Sequence, residues 1–249
     1  MAGVVKVVHS WRCVSDAVVA GLSEPTADPF VRPILVAPGN AQSRSLLQSL
    51  ARRHGIAAGI DTTTPLGLRE RLEEDLLGIK RENDPWQPGP LALRICRIIE
   101  NNSPGFEVVS AHLEASRRQG VPRATWTTAR QAADAICALA RDSHDVLNAW
   151  ADGAAPTSHQ GDTDLAGDPL DPARAWWAPL WRTLLAKPCH VPDPVSRHQL
   201  LVDAILTQSR SEPPIVWFSS TTTAQHDVSL AEALSASHDV TIVHLDHGI

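Results

Sequence analysis

Lysine is almost absent from this sequence: of the 22 basic residues in a chain of 249, only Lys6, Lys80 and Lys187 are lysines. None of the three follows a glycine-rich turn. A P-loop of the form G-x-x-x-x-G-K-[ST] needs its lysine to hold the β- and γ-phosphates of a nucleotide. The sequence therefore excludes a working Walker A site, and we expect the chain to bind neither ATP nor any other cofactor.

Cysteine pairs, long apolar runs and a leader are also missing. The four cysteines form no C-x-x-C pair and have no zinc-site spacing, which predicts reduced thiols and neither a disulfide framework nor a structural metal. No run approaches the roughly 18 apolar residues of a membrane span, and no basic-then-apolar leader opens the chain. These absences predict a cytoplasmic protein without membrane contact.

An excess of positive charge is missing as well. The formal net charge is -6, whereas proteins that wrap nucleic acid neutralise phosphates with clustered lysine and arginine. Any contact with DNA must therefore be local. The predominance of arginine over lysine favours bidentate or stacked contacts, although a GC-rich genome would give the same bias.

Short apolar runs at both ends of the sequence predict strands. We expect strands at 4–8, 34–37, 57–61, 215–218 and 240–243, of which the first two are predicted to be buried. Helices are predicted at 16–22, 41–53 and 230–235 between them. Strands that alternate with helices through short connections predict an α/β fold with a parallel sheet and right-handed crossovers.

The middle of the chain has a different pattern, with apolar residues at the three and four spacing of amphipathic helices. The predicted helices are 65–77, 91–101, 106–118, 127–150, 173–186 and 195–208. The segment 151–171 lacks periodicity and is rich in Gly, Ala, Asp, Ser and Pro, which predicts a flexible loop. We therefore expect a helical insertion at 63–210 inside an α/β domain that comprises 1–62 and 211–249.

A single glycine turn is the main candidate site. Residues 34–44 read strand, glycine turn and helix, as a P-loop does, with Gly39 as the one glycine. A helix start offers free N–H groups that bind anions without a lysine, and the amide of Gln42 can pair with an adenine edge. Asn40 and Arg44 belong to the same turn. The alternative is an ordinary helix cap, with Arg44 on a solvated face.

Two other clusters invite a functional interpretation. Trp176, Trp177 and Trp181 are suited to base stacking, but the spacing of Trp177 and Trp181 is that of a helix face in the core. His244 with Asp246 and His247 has metal-capable side chains, but no further cluster accompanies it. We expect a core role for the tryptophans and no metal at the histidines.

Five segments, in order, resemble the amino-terminal part of the RecC (gamma) subunits of exodeoxyribonuclease V, the RecBCD helicase-nuclease. They are residues 7–12, 28–30, 34–44, 55–61 and 175–181. The resemblance implies a P-loop-NTPase or helicase-like parallel sheet, degenerate and without a Walker A motif, that carries a large all-helical insertion. Because the family proteins are far longer, we expect this chain to be an amino-terminal fragment.

The resemblance also implies site residues. In the family, the turn at Gly39 and Gln42 lines a tunnel that carries the 3'-ended strand and inspects it for Chi. The same resemblance assigns Asp134 and Arg197 to the tunnel, although Asp134 could instead simply face water on an amphipathic helix. Four positions depart from the family pattern: Ala37, Pro38, Thr64 and Glu70. The carboxylate of Glu70 would repel phosphate.

Three functions are consistent with these patterns. The first is a non-catalytic DNA-handling domain of a RecC-type subunit in double-strand-break repair, which guides single-stranded DNA beside RecB-type and RecD-type partners and has no ATPase or nuclease activity of its own. The second is a nucleotide- or small-molecule-binding α/β enzyme domain with an atypical phosphate loop. The third is a pure assembly scaffold.

Overall fold

The computed structural model describes residues 4–23, 30–101, 105–153, 176–187, 189–208, 213–219 and 225–246. The chain divides into two compact units. The sheet unit comprises the residues up to Lys80 and those from Gln199 onward, and the helical unit is Arg81–His198. Contacts thus group residues 63–80 and 199–208 with the sheet, whereas the sequence pattern assigns them to the helical insertion.

The sheet unit is built on five parallel strands in the order β1-β5-β4-β2-β3. The strands are β1 Val4–Val8, β2 Ile34–Val36, β3 Asp61–Thr63, β4 Ile215–Ser219 and β5 Val240–Leu245. All residues of β2 and β4 are buried, as short apolar runs predict for the centre of a parallel sheet. The predicted α/β fold with a parallel sheet is therefore confirmed.

Two strands differ from their prediction. We expected β1 to be buried, but Val4, Val5 and Val7 are 50%, 63% and 57% exposed. The reason is position, because β1 is an edge strand that pairs only with β5 in the described sheet. The strand predicted at 57–61 instead runs over Asp61–Thr63, since Gly59 adopts a left-handed φ of 72° that a strand cannot contain.

Helices cover both faces of the sheet. On one face lie α1 (Trp11–Leu22) and α2 (Asn40–His54), whose Val14, Val18, Leu46 and Leu50 share a buried cluster with Phe218 of β4. On the other face, α3 (Pro65–Leu77), α9 (Pro194–Thr207) and α10 (Gln225–Ser237) contribute their apolar residues to a second cluster. This two-sided packing is what a parallel sheet requires.

Caps set the helix ends. Helix α1 begins earlier than predicted, because the Ser10 hydroxyl accepts a hydrogen bond from the Cys13 N–H at 3.3 Å and so starts the helix at Trp11. The Thr64 hydroxyl caps α3 in the same way through the Gly67 N–H at 3.1 Å. Gly55 and Gly78 end α2 and α3 with left-handed φ values of 80° and 66°.

The helical unit contains α4 (Pro88–Glu100), α5 (Glu107–Arg118), α6 (Ala124–Asp142), α7 (His144–Ala151), α8 (Trp177–Ala186) and the start of α9. The single helix predicted at 127–150 is broken at Ser143, whose φ of -155° is not helical. Aspartate and serine favour helix ends over interiors, and Asp142 and Ser143 lie at this break. Most of the predicted loop at 151–171 lies outside the described residues. The helices that the structure does describe are all too short or too polar to span a bilayer.

Tryptophans contribute to the core of the helical unit: Trp181 is buried there, as the helix-face spacing predicts, whereas Trp177 is only partly buried. Trp181 is 1% exposed and packs against Trp86 with ring centroids 5.6 Å apart. The Trp86 indole donates to the Val191 carbonyl at 3.2 Å, and the Arg94 guanidinium lies 4.4 Å from its ring centroid. Burial lowers the pKa of Arg94, against the opposing effect of Cys189 and Asp84.

Candidate nucleic-acid interface

The carboxyl ends of all five strands lie at one edge of the sheet, because every pair in it is parallel. The loops after β1, β2 and β3 and the residue after β5 meet there. In open parallel sheets, ligands bind at this edge, between neighbouring strands whose following helices lie on opposite faces. Strands β2 and β4 are such neighbours, since α2 and α10 pack in different clusters on the two faces.

The turn after β2 thus lies beside a crevice of the kind that binds ligands. Gly39 is extended, with φ -169° and ψ 169°, and is the N-cap of α2 without a side-chain cap. Its carbonyl accepts from the Ser43 N–H at 3.1 Å and from the Ser43 hydroxyl at 3.2 Å. The N–H groups of Asn40, Ala41 and Gln42 come before this first intrahelical bond and have no intrahelical partner. A helix start of this kind attracts anions.

Gln42 turns back over the glycine. Its Oε1 lies 3.1 Å from the position that a Cβ on Gly39 would take, so that the side-chain amide sits at the turn. Arg44 lies two residues after Gln42 and is exposed on the first turns of α2. The structure therefore brings four of the candidate residues together: Gly39, Asn40, Gln42 and Arg44.

Asp134 and Arg197 lie in the helical unit, in different surroundings. Asp134 is exposed on α6, where the Arg130 Nε donates to both carboxylate oxygens at 3.0 Å. Such exposed pairs hold side chains weakly. Arg197 is buried and donates from Nη1 to Asp84 Oδ2 at 2.8 Å. Their assignment to a DNA tunnel stays a prediction.

Asp84 is the residue that sequence reasoning missed. Besides Arg197, its carboxylate accepts from the Trp86 N–H at 3.0 Å and from the Gln87 side chain at 3.3 Å. Asp84 and Arg197 are 113 residues apart, so local spacing carries no signal of the pair. The Arg197 guanidinium thus has a structural partner inside the helical unit.

Cys137 lies close to the carboxylates of Asp134 and Asp84. Burial, followed by the negative charges of Asp134 and Asp84, raises the pKa of its thiol to about 11. The thiol also lies 3.5 Å from the Trp86 carbonyl, as a donor. Asp134 and the Asp84–Arg197 pair therefore lie near the same part of α6.

The ends of β1 and β3 add polar and aromatic groups to the edge. His9 Nδ1 lies 3.8 Å from Asp246 Oδ2, and the Trp11 ring contacts Phe218. Thr63 and Thr64 lie at the end of β3, the strand next to β2. A Cβ on Gly67 would lie 2.6 Å from the Thr63 hydroxyl. Thr64, one of the departures from the family pattern, is engaged as a helix cap.

Chemically, the edge supplies backbone N–H groups, an amide and an arginine. These groups bind phosphate or pair with a base edge. Across the described ranges, no three His, Cys, Asp or Glu side chains cluster as metal ligands, and His247 lies outside those ranges.

Comparison with known sequences shows that this chain is similar to RecC proteins. The family described as "RecC, N-terminal domain" matches residues 8–246. The chain is 29% identical over 251 residues to the RecBCD enzyme subunit RecC of two Mycobacterium tuberculosis strains, CDC 1551 / Oshkosh and H37Rv, with 91% of this chain and 20% of the relative covered. The RecBCD enzyme subunit RecC of Mycolicibacterium smegmatis is 25% identical over 238 residues, with 91% and 19% covered. The chain thus spans about one fifth of the length of these relatives.

Proposed function

The chain belongs to the family of RecC N-terminal domains, and from this premise we propose that it is a DNA-handling domain of a RecC-type subunit. In this proposal it guides single-stranded DNA during double-strand-break repair by homologous recombination. RecB-type and RecD-type subunits are its partners, and the ATP-driven chemistry belongs to them. The resemblance confirmed by the family match supports this proposal, because the curated relatives are named as RecBCD subunits.

The observation that carries the proposal is the open helix start at Gly39. It combines free N–H groups, the Gln42 amide and the exposed Arg44 at the sheet edge where parallel folds bind ligands. The N–H groups and Arg44 would hold a phosphate, and Gln42 would meet the adjacent base. We propose that the sheet is a helicase-like, P-loop-like sheet whose phosphate chemistry has been lost, and that the helical region is an insertion in it.

Anisotropy of a fluorescent oligothymidine, titrated at several salt concentrations, tests this interface on the 249-residue chain. We expect weak binding, with a slope of log K against log salt on the order of -2 to -3, because a chain of net charge -6 neutralises few phosphates. Arg44→Ala should flatten the slope by about 0.7, the contribution of one phosphate contact to a single strand.

Arg52→Ala is the matched control. Arg52 is exposed on the same helix but in its last turn, so the substitution removes the same charge far from the Gly39 turn. It should leave the slope unchanged. Equal effects of the two substitutions would mean a diffuse electrostatic contact, and an absence of binding at low salt would refute the proposal.

Sequence reading can be tested in the assembled helicase-nuclease. We propose that Gln42, Asp134 and Arg197 inspect passing bases, and Gln42 is the one that lies at the Gly39 turn. Gln42→Ala should change pausing or sequence-triggered regulation and leave the unwinding rate intact, since ATP hydrolysis elsewhere sets that rate. Single-molecule unwinding traces separate these quantities. Uniform slowing by Gln42→Ala would assign it a structural role.

Because Ala37, Pro38, Thr64 and Glu70 depart from the family pattern, the sequence that is read need not be Chi.

A nucleotide-binding domain is the second candidate, since nucleotides also bind at the switch points of parallel sheets. The first proposal expects no micromolar ATP binding, because no lysine is available at the turn to neutralise the β- and γ-phosphates. Titration calorimetry decides between them. Micromolar binding that is lost in Gly39→Pro would favour the nucleotide-binding domain.

A further inference from the structure

Trp11 is an exposed indole held in place from one side. It is the first residue of α1, and 38% of its surface is exposed. Its ring meets that of Phe218 at 80°, with centroids 5.5 Å apart. Phe218 is fully buried in the core of the sheet unit. The perpendicular contact fixes the indole and leaves at least one of its faces clear of Phe218.

The contact with Phe218 also places the indole near the Gly39 turn. Trp11 follows β1, yet Phe218 belongs to β4, so the side chain reaches across β5. Trp217 pairs with Val36, which sets Phe218 level with Ala37, two residues before Gly39. Because neighbouring strands are about 4.8 Å apart, the indole lies on the order of 10 Å from the Gly39 turn.

The two features share one face of the sheet. Phe218 belongs to the same buried cluster as Leu46 and Leu50 of α2, the helix that begins at the Gly39 turn. An exposed aromatic face and an anion-attracting helix start are the two components that proteins combine to hold single-stranded nucleic acid, one for a base and one for the backbone. Arg12, exposed next to Trp11, adds positive charge to the start of α1.

We propose that Trp11 is a base-stacking residue of this interface, a position that the family resemblance did not assign. One base of a single strand stacks on the indole, and a nearby phosphate lies at the start of α2. This inference rests on the proposed function. It adds sequence-tolerant affinity to the base inspection by Gln42, since every base has a face that can stack.

Two substitutions at Trp11 separate stacking from packing. Trp11→Leu keeps an apolar side chain but removes the aromatic face, and Trp11→Phe keeps a smaller aromatic face. We expect Trp11→Leu to weaken oligothymidine binding by about 5- to 150-fold, the equivalent of the 1 to 3 kcal/mol that a stacked base contributes. Trp11→Phe should retain most of the affinity. Anisotropy at constant low salt measures both.

The matched control is Trp126→Leu. Trp126 is exposed to the same extent, 38%, but belongs to α6 in the helical unit. Its replacement should leave binding unchanged. Equal losses from Trp11→Leu and Trp126→Leu, or a loss that Trp11→Phe does not restore, would overturn the stacking role.

Photocrosslinking of the unmodified chain gives an independent answer that does not depend on whether a variant folds. An oligothymidine that carries 5-iodouracil should crosslink to the peptide that contains Trp11, as identified by mass spectrometry. Crosslinks confined to other peptides would overturn the inference. If the contrast between Arg44→Ala and Arg52→Ala holds while Trp11→Leu binds normally, the interface stands and only the role of Trp11 falls. Without any binding to single strands, both fall together.

Discussion

Arg197 and Asp84 form a buried ion pair, with Arg197 Nη1 at 2.8 Å from Asp84 Oδ2 and side-chain exposures of only 9% and 2%. The carboxylate also accepts from the Trp86 N–H, so the pair links the start of α9 to the segment before α4. A buried charge that loses its partner is left without solvation. The pair therefore makes Arg197 a determinant of stability, whatever its role toward DNA.

Arg197→Ala should accordingly destabilise the chain by about 3 to 5 kcal/mol, because it leaves the Asp84 carboxylate buried and without its cation. Urea unfolding followed by circular dichroism measures the change. Arg118→Ala is the control, because it breaks an exposed pair with Glu114 that should contribute about 0 to 1 kcal/mol.

The double variant Arg197→Met/Asp84→Leu completes this test. Apolar residues of similar size should recover much of the lost stability, since neither charge remains buried. A loss below about 1 kcal/mol in Arg197→Ala would contradict the structural role. Effects of Arg197→Ala on DNA in the assembled complex should be interpreted only after this stability comparison.

Gly67, in the first turn of α3, lies against the side chains of Thr63 and Thr64. A Cβ there would lie 2.6 Å from the Thr63 hydroxyl and 3.3 Å from that of Thr64. Alanine normally stabilises a helix relative to glycine, yet Gly67→Ala should destabilise by about 1 to 3 kcal/mol through this overlap. Adding Thr63→Ala removes the overlapping oxygen and should reverse much of the loss. Thermal unfolding of the two variants tests the contact, and no rescue by the second substitution would speak against it.

His238 makes the stability depend on pH. Burial lowers its pKa, partly opposed by a hydrogen bond to Leu234, so the folded protein holds the proton less tightly than the unfolded chain. The stability should be complete above the unfolded pKa of about 6.5 and fall as the pH drops toward the lower folded pKa. One proton limits the slope to about 1.4 kcal/mol per pH unit. Urea titrations at several pH values between neutral and mildly acidic measure this.

His238→Gln should reduce that pH dependence. His112→Gln is the control, because His112 is exposed on α5 and its replacement should leave the dependence as it is. Identical slopes in the unsubstituted chain and His238→Gln would show that another group is responsible.

The cysteines should differ in reactivity. Cys13 is exposed, whereas the pKa of the Cys137 thiol is raised to about 11, so that only about one molecule in a thousand carries its thiolate at pH 8. With a disulfide reagent, Cys13 should react first and Cys137 slowly. Cys13→Ser should remove the fast phase, and Cys137→Ser should leave it.

Asp134→Asn should accelerate the reaction of Cys137, because it removes one of the charges that raise the pKa of the thiol. Peptide mapping of the labelled chain assigns each phase. An unchanged rate would mean that the Asp134 carboxylate does not raise the pKa of the Cys137 thiol and does not lie near it.

The sequence by itself determined the local structure and the family. Apolar runs identified β2 and β4, and Ser23 and Gly55 marked the ends of α1 and α2 within a residue. These signals depend on residues only a few positions apart, so they can be recognised without knowledge of the fold. Five short segments indicated a RecC-type chain, and the family match confirms that resemblance.

The tertiary structure alone decided which residues meet. It set β1 at the sheet edge and exposed its valines, although their apolar pattern is that of a buried strand. It buried Arg197 against Asp84 and brought Trp11 across β5 to Phe218, near the Gly39 turn. The order of parallel strands depends on crossovers between distant segments, and neither periodicity nor spacing along the chain encodes which strands become neighbours.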